Sequence, residues 1–586
     1  MGRNWATANT TKRRADEKNA IEAREFGQKA WMRGRIVSGT GSMRSCSPFL
    51  LIAVALLGVA NAAPPADQMA RGAKIFTEKC ALCHQPNGAG VPPVYPPLVR
   101  SEWLGTKREA AVKALCEGLS GPLEVAGQHF DNLMPAQILD DQQVADVLTY
   151  AGNSWGSENA VFTVDEVRAG RGNSSFPTYE KLLESAEYRP LPAAPSGFTV
   201  REVAKSPEFL TRLAIDPVRK TIYALAQKGS IYVLDMAAGG FVQIIKPGDY
   251  LEMNEGDSVT MGMTVDAQGR LWVVSNQKRT ESVPHQNEVV IWRSSETVDG
   301  HPAKMQPWFR TRYPYGVGPY NHGVSHLAFG PDGMLYVNSG SRTDGGEAGN
   351  DPERFTGGEV EITACLWRLD PRAEQPKIEV YARGIRNAYG FAWDDSGDLF
   401  TFSNGPDFSA PEEMDFIQQG RHYGFPFQYA DWPVKPGFPY AHTPPPPPGV
   451  EFTPPVVNLG PAGGGSSAGL STFDAHSSPG GSIWCGGDFP AILRGSFLVT
   501  RFGNLLGPPA APEDVGFDLL SVRVDKTAAP RLTAQVTTVL ARLARPLDVL
   551  SIGRGRVLIL EYTRPTDFKS KIGWLPGRVL ELAPIQ

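Results

Sequence analysis

A strand–turn–strand unit recurs along the C-terminal two thirds of the chain and constrains its fold more than any other feature. Each unit has an apolar or alternating run, a turn rich in Asp and Gly, and a second apolar run. Repeats of this kind, spaced about 50 to 90 residues apart, are typical of β-propeller blades. We predict an all-β six-bladed propeller over residues 198–586, although five or seven blades also fit, because only two strands of each unit are readable. The units begin at Leu210, Val259, Val324, Ala388, Pro479 and Pro546.

Length and composition support this architecture and argue against one class of partner. A chain of 586 residues is too long for a single hydrophobic core, so several domains are expected. The 62 glycines and 50 prolines favour turn-rich β structure. The net charge is −5 and the body of the chain has no long basic run, so no nucleic-acid partner is expected.

The N-terminal stretch has the pattern of an export signal. Residues 1–42 are polar and basic, and we predict an unstructured upstream extension there. Residues 43–62 then combine Arg44, an apolar run over 48–60 and the small-x-small sequence Ala60-Asn61-Ala62. This pattern predicts a cleaved signal peptide and a periplasmic protein with no stable membrane span. An uncleaved anchor is the alternative.

The sequence CALCH at residues 80–84 predicts covalent attachment of one haem. Two cysteines three apart form thioethers to the haem vinyl groups, and His84 then supplies the proximal nitrogen to the iron. A CxxC zinc knuckle would need a second pair of ligands, and no such pair follows at a usable spacing. Cys80, Cys83 and His84 are therefore predicted to hold haem c.

A sixth ligand to the iron is expected on a downstream loop. Met134 precedes Pro135, which stiffens the loop, and Asp140 or Asp141 then caps an amphipathic helix. A thioether ligand suits electron transfer, so we predict Met134, with His129 as the rival ligand and core filling by Met134 as the structural alternative.

Residues 66–157 resemble class I cytochromes c, and they look most like the cytochrome modules that accompany quinone-cofactor alcohol and sugar dehydrogenases. The resemblance is carried by CALCH, by the Met134-Pro135 loop and by the helix pattern on either side of them. It implies a small all-α electron-transfer domain at the start of a multidomain protein.

Two segments between and within these domains lack a strand or helix pattern. Residues 158–197 end in a Pro/Ala run and are predicted to be a linker of modest order. Residues 432–480 are dense in Pro and Gly and are predicted to be long loops on one face of the propeller. Among Cys116, Cys365 and Cys485 at most one disulfide can form, and the sequence does not say which, with Cys365–Cys485 only a guess.

Polar residues at the ends of the predicted blade strands carry the chemistry. His322 precedes the third unit, Arg386 and Asn387 precede the fourth, and Gly405-Pro406 follows it. A histidine with a near-neutral pKa is a natural base, and arginines in a channel favour a polyanion. Backbone carbonyls at Gly-Pro with carboxylates nearby suit Ca²⁺.

The stretch RGIRNAYGFAWDDSGDLFTFSNGP, together with EEMDFIQQGRHYGFP, resembles the soluble glucose, aldose-sugar and sorbosone dehydrogenases. These proteins are six-bladed propellers that bind pyrroloquinoline quinone (PQQ) and Ca²⁺. The resemblance extends loosely over residues 198–583.

The resemblance implies a role for each matching residue. His322 would be the base that takes the proton of a substrate hydroxyl, and Arg386 and Asn387 would lie beside the quinone oxygens. The remaining implied contacts concern the cofactor and calcium: Asn404 to PQQ, the carbonyls of Gly405 and Pro406 to a catalytic Ca²⁺, Glu413 and Tyr423 to a structural Ca²⁺, and Arg501 and Arg545 to the cofactor carboxylates.

Three positions depart from the family pattern. Asn321 stands where the family has Asp before the base. A lysine that the family has near residues 499–504 is absent, and Arg501 is the only cation close to that position. Leu547 stands where the family has one of two arginines. The last two changes remove cations that would oppose a tri-acid cofactor.

Together these features predict a periplasmic quinohaemoprotein that oxidises a sugar or alcohol with PQQ. Its electrons would pass to haem c and then to a periplasmic cytochrome or a terminal oxidase. The alternative is a haem c electron carrier whose propeller is a non-catalytic docking or binding scaffold. A Ca²⁺-dependent propeller hydrolase of the lactonase type ranks last, because it needs clustered acidic and Asn ligands in the channel.

Overall fold

A computed structural model of the chain describes most of the sequence after residue 63. The predicted upstream extension at 1–42 and the predicted signal peptide at 43–62 lie outside the described residues. The described ranges are 64–90, 95–119, 122–131, 134, 136–137, 139–157, 161–171, 183, 186–252, 258–298, 300–316, 321–347, 357–407, 410–430, 445–464, 473–504, 515–528, 531–564 and 575–585.

The N-terminal domain is mainly helical, as predicted, and adds one short antiparallel hairpin. Its described helices are α1 (Ala66–Lys79), α2 (Ala81–His84), α3 (Glu102–Gly105), α4 (Arg108–Glu117), α5 (Asp141–Gly152) and α6 (Val164–Arg171). The hairpin pairs β1 (Pro122–Val125) with β2 (Gln128–Asp131).

Local sequence chemistry explains how α1 and α5 begin and cross. The Asp140 side chain accepts from the Gln143 amide at 2.8 Å, and the Gln143 side chain accepts from the Asp140 amide at 3.0 Å, which is a complete capping box. At the crossing, a Cβ on Gly72 would come within 2.2 Å of the Asp146 carbonyl oxygen, so only glycine allows this approach. The crossing buries Phe76 against the core of the domain.

The C-terminal domain is a propeller of six sheets, and the predicted blade number is confirmed. Blade 1 has β4 (Leu210–Ile215), β5 (Ile222–Ala226), β6 (Ile231–Asp235) and β7 (Gly240–Ile245), and blade 2 has β8 (Ser258–Val265), β9 (Leu271–Arg279), β10 (Gln286–Val298) and β11 (His301–Pro314). Blade 3 has β12 (Val324–Phe329), β13 (Leu335–Ser339), β14 (Cys365–Leu369) and β15 (Glu379–Arg383), and blade 4 has β16 (Gly390–Trp393), β17 (Leu399–Ser403) and β18 (Glu413–Ile417). Blade 5 has β19 (Val457–Pro461), β20 (Pro479–Cys485), β21 (Ser496–Arg501), β22 (Asp518–Asp525) and β23 (Thr533–Leu540). Blade 6 has β24 (Pro546–Gly553), β25 (Arg556–Thr563), β26 (Pro576–Pro584) and, from the other end of the domain, β3 (Phe198–Lys205).

The last blade closes the ring. Its outer strand β3 comes from the start of the domain and pairs antiparallel with β26 from the end, with Phe198 opposite Pro584 and Lys205 opposite Arg578. Joining the two ends of the domain in one sheet holds the ring of six blades closed.

Part of the predicted loop region at 432–480 is regular structure, which corrects that prediction. Residues 457–461 form β19, which pairs in parallel with β23 at the outer edge of blade 5. An edge strand needs hydrogen bonds on one side only, so the Gly460-Pro461 pair is tolerated there. Residues 431–444 and 465–472 lie outside the described residues.

A buried ion pair joins the inner strands of the propeller. The Arg212 guanidinium donates to the Asp548 carboxylate at 3.0 Å and to the carbonyl oxygens of Ser325 at 3.1 Å, Tyr389 at 3.0 Å and Met261 at 3.3 Å. Arg212 also lies over the Tyr389 ring, 4.1 Å from its centroid. One side chain therefore links blade 1 to blades 2, 3 and 6 and to the residue just before the inner strand of blade 4.

The cysteines left over from the haem motif form no disulfide in the described part of the chain. Cys116 is buried in the helical domain, Cys365 lies in blade 3 and Cys485 in blade 5, and all three are free thiols. The guessed Cys365–Cys485 pair is therefore wrong. Within the described ranges, no helix is long and apolar enough to cross a membrane.

Candidate functional site

The haem motif lies at the junction of two helices. Cys80 separates α1 from α2, its amide donates to the Phe76 carbonyl at 2.9 Å, and the His84 amide donates to the Cys80 carbonyl at 2.9 Å. This short turn brings Cys80, Cys83 and His84 together, and both cysteines are free thiols.

His84 is prepared to bind a metal through one defined nitrogen. Its ring is 8% exposed, and Nδ1 lies 2.9 Å from the Pro96 carbonyl oxygen. A carbonyl only accepts, so Nδ1 carries the proton and Nε2 carries the lone pair. Gly90 permits this arrangement, because a Cβ there would come within 2.6 Å of the same Pro96 oxygen. These features fit a covalent haem held by two thioethers and His84 Nε2.

The two candidates for the sixth ligand differ in burial. Met134 is partly buried and packs against the same core cluster as Cys80, while its backbone pairs with Leu119 in an isolated antiparallel bridge. His129 is exposed on the hairpin, opposite Glu124. Met134 is therefore the better placed of the two.

This difference predicts the effect of replacing each ligand. A thioether ligand raises the reduction potential of haem iron, so Met134→Ala should lower the potential, and His129→Ala should leave it unchanged. A spectroelectrochemical titration of each purified variant measures both values. A shifted potential in His129→Ala, with that of Met134→Ala unchanged, would assign the ligand to the histidine.

In the propeller, the residues predicted to contact substrate and quinone meet at one place. A Cβ on Gly340 would come within 2.7 Å of the His322 Cβ and 3.3 Å of Asn387 Oδ1, so the two side chains flank this glycine. The Asn404 side-chain amide donates to the Asn387 carbonyl at 3.1 Å, which joins the loop between β17 and β18 of blade 4 to the same group. The Asn387 Oδ1 atom is buried and makes no hydrogen bond among the described residues.

His322 is oriented by a hydroxyl. Its Nδ1 lies 3.0 Å from Ser341 Oγ, and that hydroxyl donates its only proton to the Thr343 carbonyl at 2.8 Å. Ser341 Oγ must then accept from His322, so Nδ1 is protonated and Nε2 has the lone pair that a general base needs. Ser341 was not predictable from the sequence, because the family pattern places the orienting residue directly before the histidine.

Arg386 is paired with a carboxylate that the sequence did not single out. Its guanidinium donates to the Asp344 side chain at 2.6 Å, to the Asp344 carbonyl at 3.0 Å and to the Asn404 carbonyl at 3.3 Å. The Asp344 carboxylate also accepts from the Asp407 amide at 3.1 Å. The pair therefore ties the loop between β13 and β14 of blade 3 to the loop that carries Gly405 and Pro406.

Negative charge exceeds positive charge around this guanidinium. Burial opposes the charge of Arg386, but Asp344, Asp407, Tyr429 and Glu412 stabilise it and raise its pKa. Three of these groups are carboxyl side chains facing one guanidinium. Such an imbalance next to the Gly405-Pro406 carbonyls fits a divalent cation such as Ca²⁺.

The Glu412 side chain contacts the loop that carries Gly405 and Pro406. Its carboxylate, 2% exposed, accepts from the Gly405 amide at 2.6 Å and from the Ser478 amide at 3.2 Å. Burial raises its pKa to about 7, although these two amides and the nearby arginines Arg386 and Arg501 lower it.

The raised pKa of Glu412 predicts how stability depends on pH. A carboxyl with a higher pKa in the folded state than in the unfolded state stabilises the fold at low pH. In protein kept free of calcium by a chelator, the free energy of unfolding should therefore fall as pH rises from about 4.5 to about 7. At 1.36 kcal/mol for each pKa unit, the loss is roughly 3 kcal/mol. Chemical denaturation at several pH values measures it.

Glu412→Gln should remove this part of the pH dependence, because an amide does not titrate. Glu374→Gln, at an exposed position, is the matched control and should keep the wild-type slope. Equal slopes for wild type and Glu412→Gln would show that Glu412 titrates at its ordinary pKa.

The two arginines expected to bind cofactor carboxylates differ in their present partners, which are carboxylates for Arg501 and backbone carbonyls for Arg545. Arg501 is already neutralised, by Asp518 at 2.6 Å and by Asp474 at 3.1 Å, which argues against its predicted role. The Arg545 guanidinium donates to backbone carbonyls, including that of Gly503 at 3.2 Å, and burial lowers its pKa to about 9. An anion beside Arg545 would offset the free-energy cost of burying its charge, so Arg545 is suited to bind a carboxylate of the cofactor.

The predicted structural calcium position contains an additional acid. Glu413 and Asp415 are two apart on β18 and so point to the same face. Both carboxylate oxygens of Asp415 are buried with no hydrogen-bond partner among the described residues. Burial, and then Glu413, raise the pKa of Asp415. This orphaned carboxylate fits a cation site.

Tyr423 would reach such a cation only through its backbone. Its hydroxyl donates to the Phe416 carbonyl at 2.7 Å and accepts from the Gln418 amide at 2.7 Å, so the side chain is committed to β18 and the turn after it. Across the described ranges, no three His, Cys, Asp or Glu side chains form a metal-binding group, so bound calcium would also need backbone oxygens.

Tyr95 connects the neighbourhood of the haem motif with that of the propeller loop. Burial, then the Cys83 thiol, and then Asp407 raise the pKa of Tyr95 to about 12. Asp407, next to Pro406, and the Cys83 thiol therefore both act electrostatically on the same tyrosine.

Comparison with known proteins supports the assignment of both domains. The cytochrome c family matches residues 69–155, and the glucose/sorbosone dehydrogenase family matches residues 258–447. Cytochrome c-552 of Thermus thermophilus is 36% identical over 118 residues, which cover 18% of this chain and 89% of the relative.

Solved propeller structures show more distant similarity. The PQQ-bound form of the aldose sugar dehydrogenase of Streptomyces coelicolor is 19% identical and covers 67% of this chain and 99% of its own, with a TM-score of 0.44. The apo form of the soluble aldose sugar dehydrogenase of Escherichia coli is 14% identical and covers 66% of this chain and 100% of its own, with a TM-score of 0.46. The chain thus belongs to the cytochrome c family through its N-terminal domain, which it joins to a six-bladed propeller domain of the glucose/sorbosone dehydrogenase family.

Proposed function

We propose that this chain is a quinohaemoprotein that oxidises a sugar or alcohol with PQQ and Ca²⁺ and passes the electrons to its own haem c. The observation that carries the proposal is the meeting of His322 and Asn387 at Gly340, with Arg386 bonded to the Asn404 carbonyl next to Gly405-Pro406. The combination of a cytochrome c domain with a dehydrogenase-family propeller supports an oxidoreductase.

PQQ, when bound, supplies a two-electron acceptor for the oxidation of a CH–OH group to a carbonyl. His322 Nε2 takes the proton from the substrate hydroxyl, while Ser341 keeps the imidazole in the required tautomer. The Arg386–Asp344 pair holds two loops at the site, and Arg545 would bind a carboxylate of the cofactor.

The electron count requires an external acceptor. Each substrate molecule gives up two electrons and two protons, whereas Cys80, Cys83 and His84 hold a group that accepts one electron at a time. Two successive transfers are therefore needed for each substrate molecule, and both electrons leave for a periplasmic cytochrome or a terminal oxidase. Export by the predicted signal at 43–62 would place the protein in the periplasm, where haem c is attached.

A substrate screen tests the proposal. The haem-loaded full chain is mixed with PQQ and Ca²⁺ and then with individual sugars and alcohols, and haem reduction is followed by absorbance. We expect at least one compound to reduce the haem only when PQQ and Ca²⁺ are both present. If PQQ does not bind and no compound reduces the haem, the propeller is a docking scaffold and the protein is an electron carrier.

A further inference from the structure

The last part of the predicted linker is fixed to the propeller, which corrects the expectation of modest order throughout 158–197. Residues 186–197 are described up to the start of β3, and Tyr188 and Arg189 in this stretch are partly buried. The segment formed by Leu183 and residues 186–189 is named the linker anchor below.

Three cations surround the aromatic ring at the centre of the linker anchor. The Tyr188 ring centroid lies 4.4 Å from the Arg564 guanidinium carbon, 5.1 Å from Lys205 Nζ and 5.4 Å from the Arg578 guanidinium carbon. All three distances fall within the range of cation–π attraction. Because Arg564 and Arg578 are themselves buried, the attraction is less screened than at an open surface.

The same two arginines also hold the backbone of the anchor. Arg564 Nη1 donates to the carbonyl oxygens of Leu183 at 2.7 Å and Ala186 at 3.1 Å, and Arg578 Nη2 donates to that of Arg189 at 2.5 Å. These charge-assisted hydrogen bonds fix the chain on both sides of the Tyr188 ring.

The linker anchor lies beside the candidate quinone site. Arg189 Nη1 donates to the Leu543 carbonyl at 3.1 Å, two residues before Arg545. The Arg578 guanidinium donates to Glu561 at 2.7 Å, and Glu561 accepts from the Ala544 amide at 2.6 Å. The chain leading from the helical domain is therefore attached at the part of blade 6 that carries Arg545.

We propose that Tyr188 is a positioning residue for electron transfer, because the linker anchor holds the helical domain near the end of the propeller that bears the candidate site. This inference rests on the proposed function. Eleven residues, 172–182, separate α6 from the anchor, so the chain can span at most about 40 Å between them. If the chain were released as far as the start of β3 at Phe198, the span would grow to at most about 90 Å.

The longer connection lowers the local concentration of the haem at the quinone site. Effective concentration falls roughly as the −3/2 power of linker length, which gives about a threefold loss when the anchor is released. The reaction between substrate and quinone does not depend on the anchor. Electron transfer within the chain should therefore slow while substrate oxidation continues.

Two variants of the full chain, loaded with haem, PQQ and Ca²⁺, test the inference. Tyr188→Ala removes the ring, whereas Tyr188→Phe keeps it and serves as the matched control. We expect Tyr188→Ala to reduce its haem more slowly in a single turnover, by up to the threefold that full release would give, because the backbone bonds from Arg564 and Arg578 remain. Reduction of a small diffusible dye should be unchanged, and Tyr188→Phe should match wild type. Small-angle scattering should show a larger radius of gyration for Tyr188→Ala only.

Two results would overturn the inference. An equal loss of haem and dye reduction in Tyr188→Ala would mean that the ring only supports the propeller fold, and wild-type behaviour in every assay would mean that it positions nothing. If wild type reduces neither haem nor dye, the proposed function itself fails. The anchor is then judged by scattering alone, and an unchanged radius of gyration would refute it.

Discussion

His322→Ala should lower kcat/KM for substrate oxidation by roughly 10²- to 10⁴-fold, the usual contribution of a general base. The haem spectrum should stay that of wild type, because His84 and Met134 belong to the other domain. The assay follows dye reduction in the presence of PQQ and Ca²⁺. His301→Ala, on the outer hairpin of blade 2, is the control and should keep full activity. Wild-type oxidation by His322→Ala would remove His322 from the mechanism.

Ser341→Ala should have a smaller effect of the same kind. The variant loses the hydroxyl that accepts from His322 Nδ1, but it keeps the Ser341 backbone carbonyl, 3.3 Å from the same nitrogen. One hydrogen bond of about 1 kcal/mol corresponds to roughly a five- to tenfold loss in kcat. A loss as large as that of His322→Ala would mean that the serine takes part in the proton transfer itself.

Arg212→Ala should destabilise the propeller by roughly 3–5 kcal/mol, the cost of removing one partner of a buried ion pair. The change leaves the Asp548 carboxylate buried without its guanidinium and frees three backbone carbonyls from their donor. Arg372→Ala is the control, because Arg372 is 77% exposed in its pair with Asp370, and exposed pairs contribute at most about 1 kcal/mol.

Chemical denaturation followed by tryptophan fluorescence measures both variants, and the haem absorbance reports the helical domain separately. A cost for Arg212→Ala no larger than that for Arg372→Ala would show that the buried pair does not hold the blades together.

The sequence predicted those features that depend on short stretches of chain. The first strand of each blade was recognisable because its apolar pattern and its Asp/Gly turn lie within about 20 residues. CALCH was recognisable for the same reason, since two thioether cysteines and one iron ligand lie within five residues. The outer strands were harder to identify, because β11 has polar residues and prolines along its length and β19 is an edge strand that contains Gly and Pro.

The candidate site was only partly predictable, because its residues meet through loops that are far apart in the chain. Asp344 and Asp407 are 63 residues apart and touch only in the folded propeller. Ser341 shows no motif of its own. The ion pair of Arg501 with Asp518 was not predictable either, since recognising it requires the pairing of β21 with β22. The linker anchor depends on arginines almost 400 residues from Tyr188.

The most direct test of the account is the dependence of haem reduction on protein concentration. The chain loaded with haem, PQQ and Ca²⁺ is mixed with a substrate found in the screen, in a stopped-flow instrument, over a hundredfold range of protein concentration. If the electrons pass from quinone to haem within one chain, the first-order rate constant of haem reduction stays constant over this range. A rate constant that rises in proportion to protein concentration, or a haem that stays oxidised while substrate is consumed, would contradict the account.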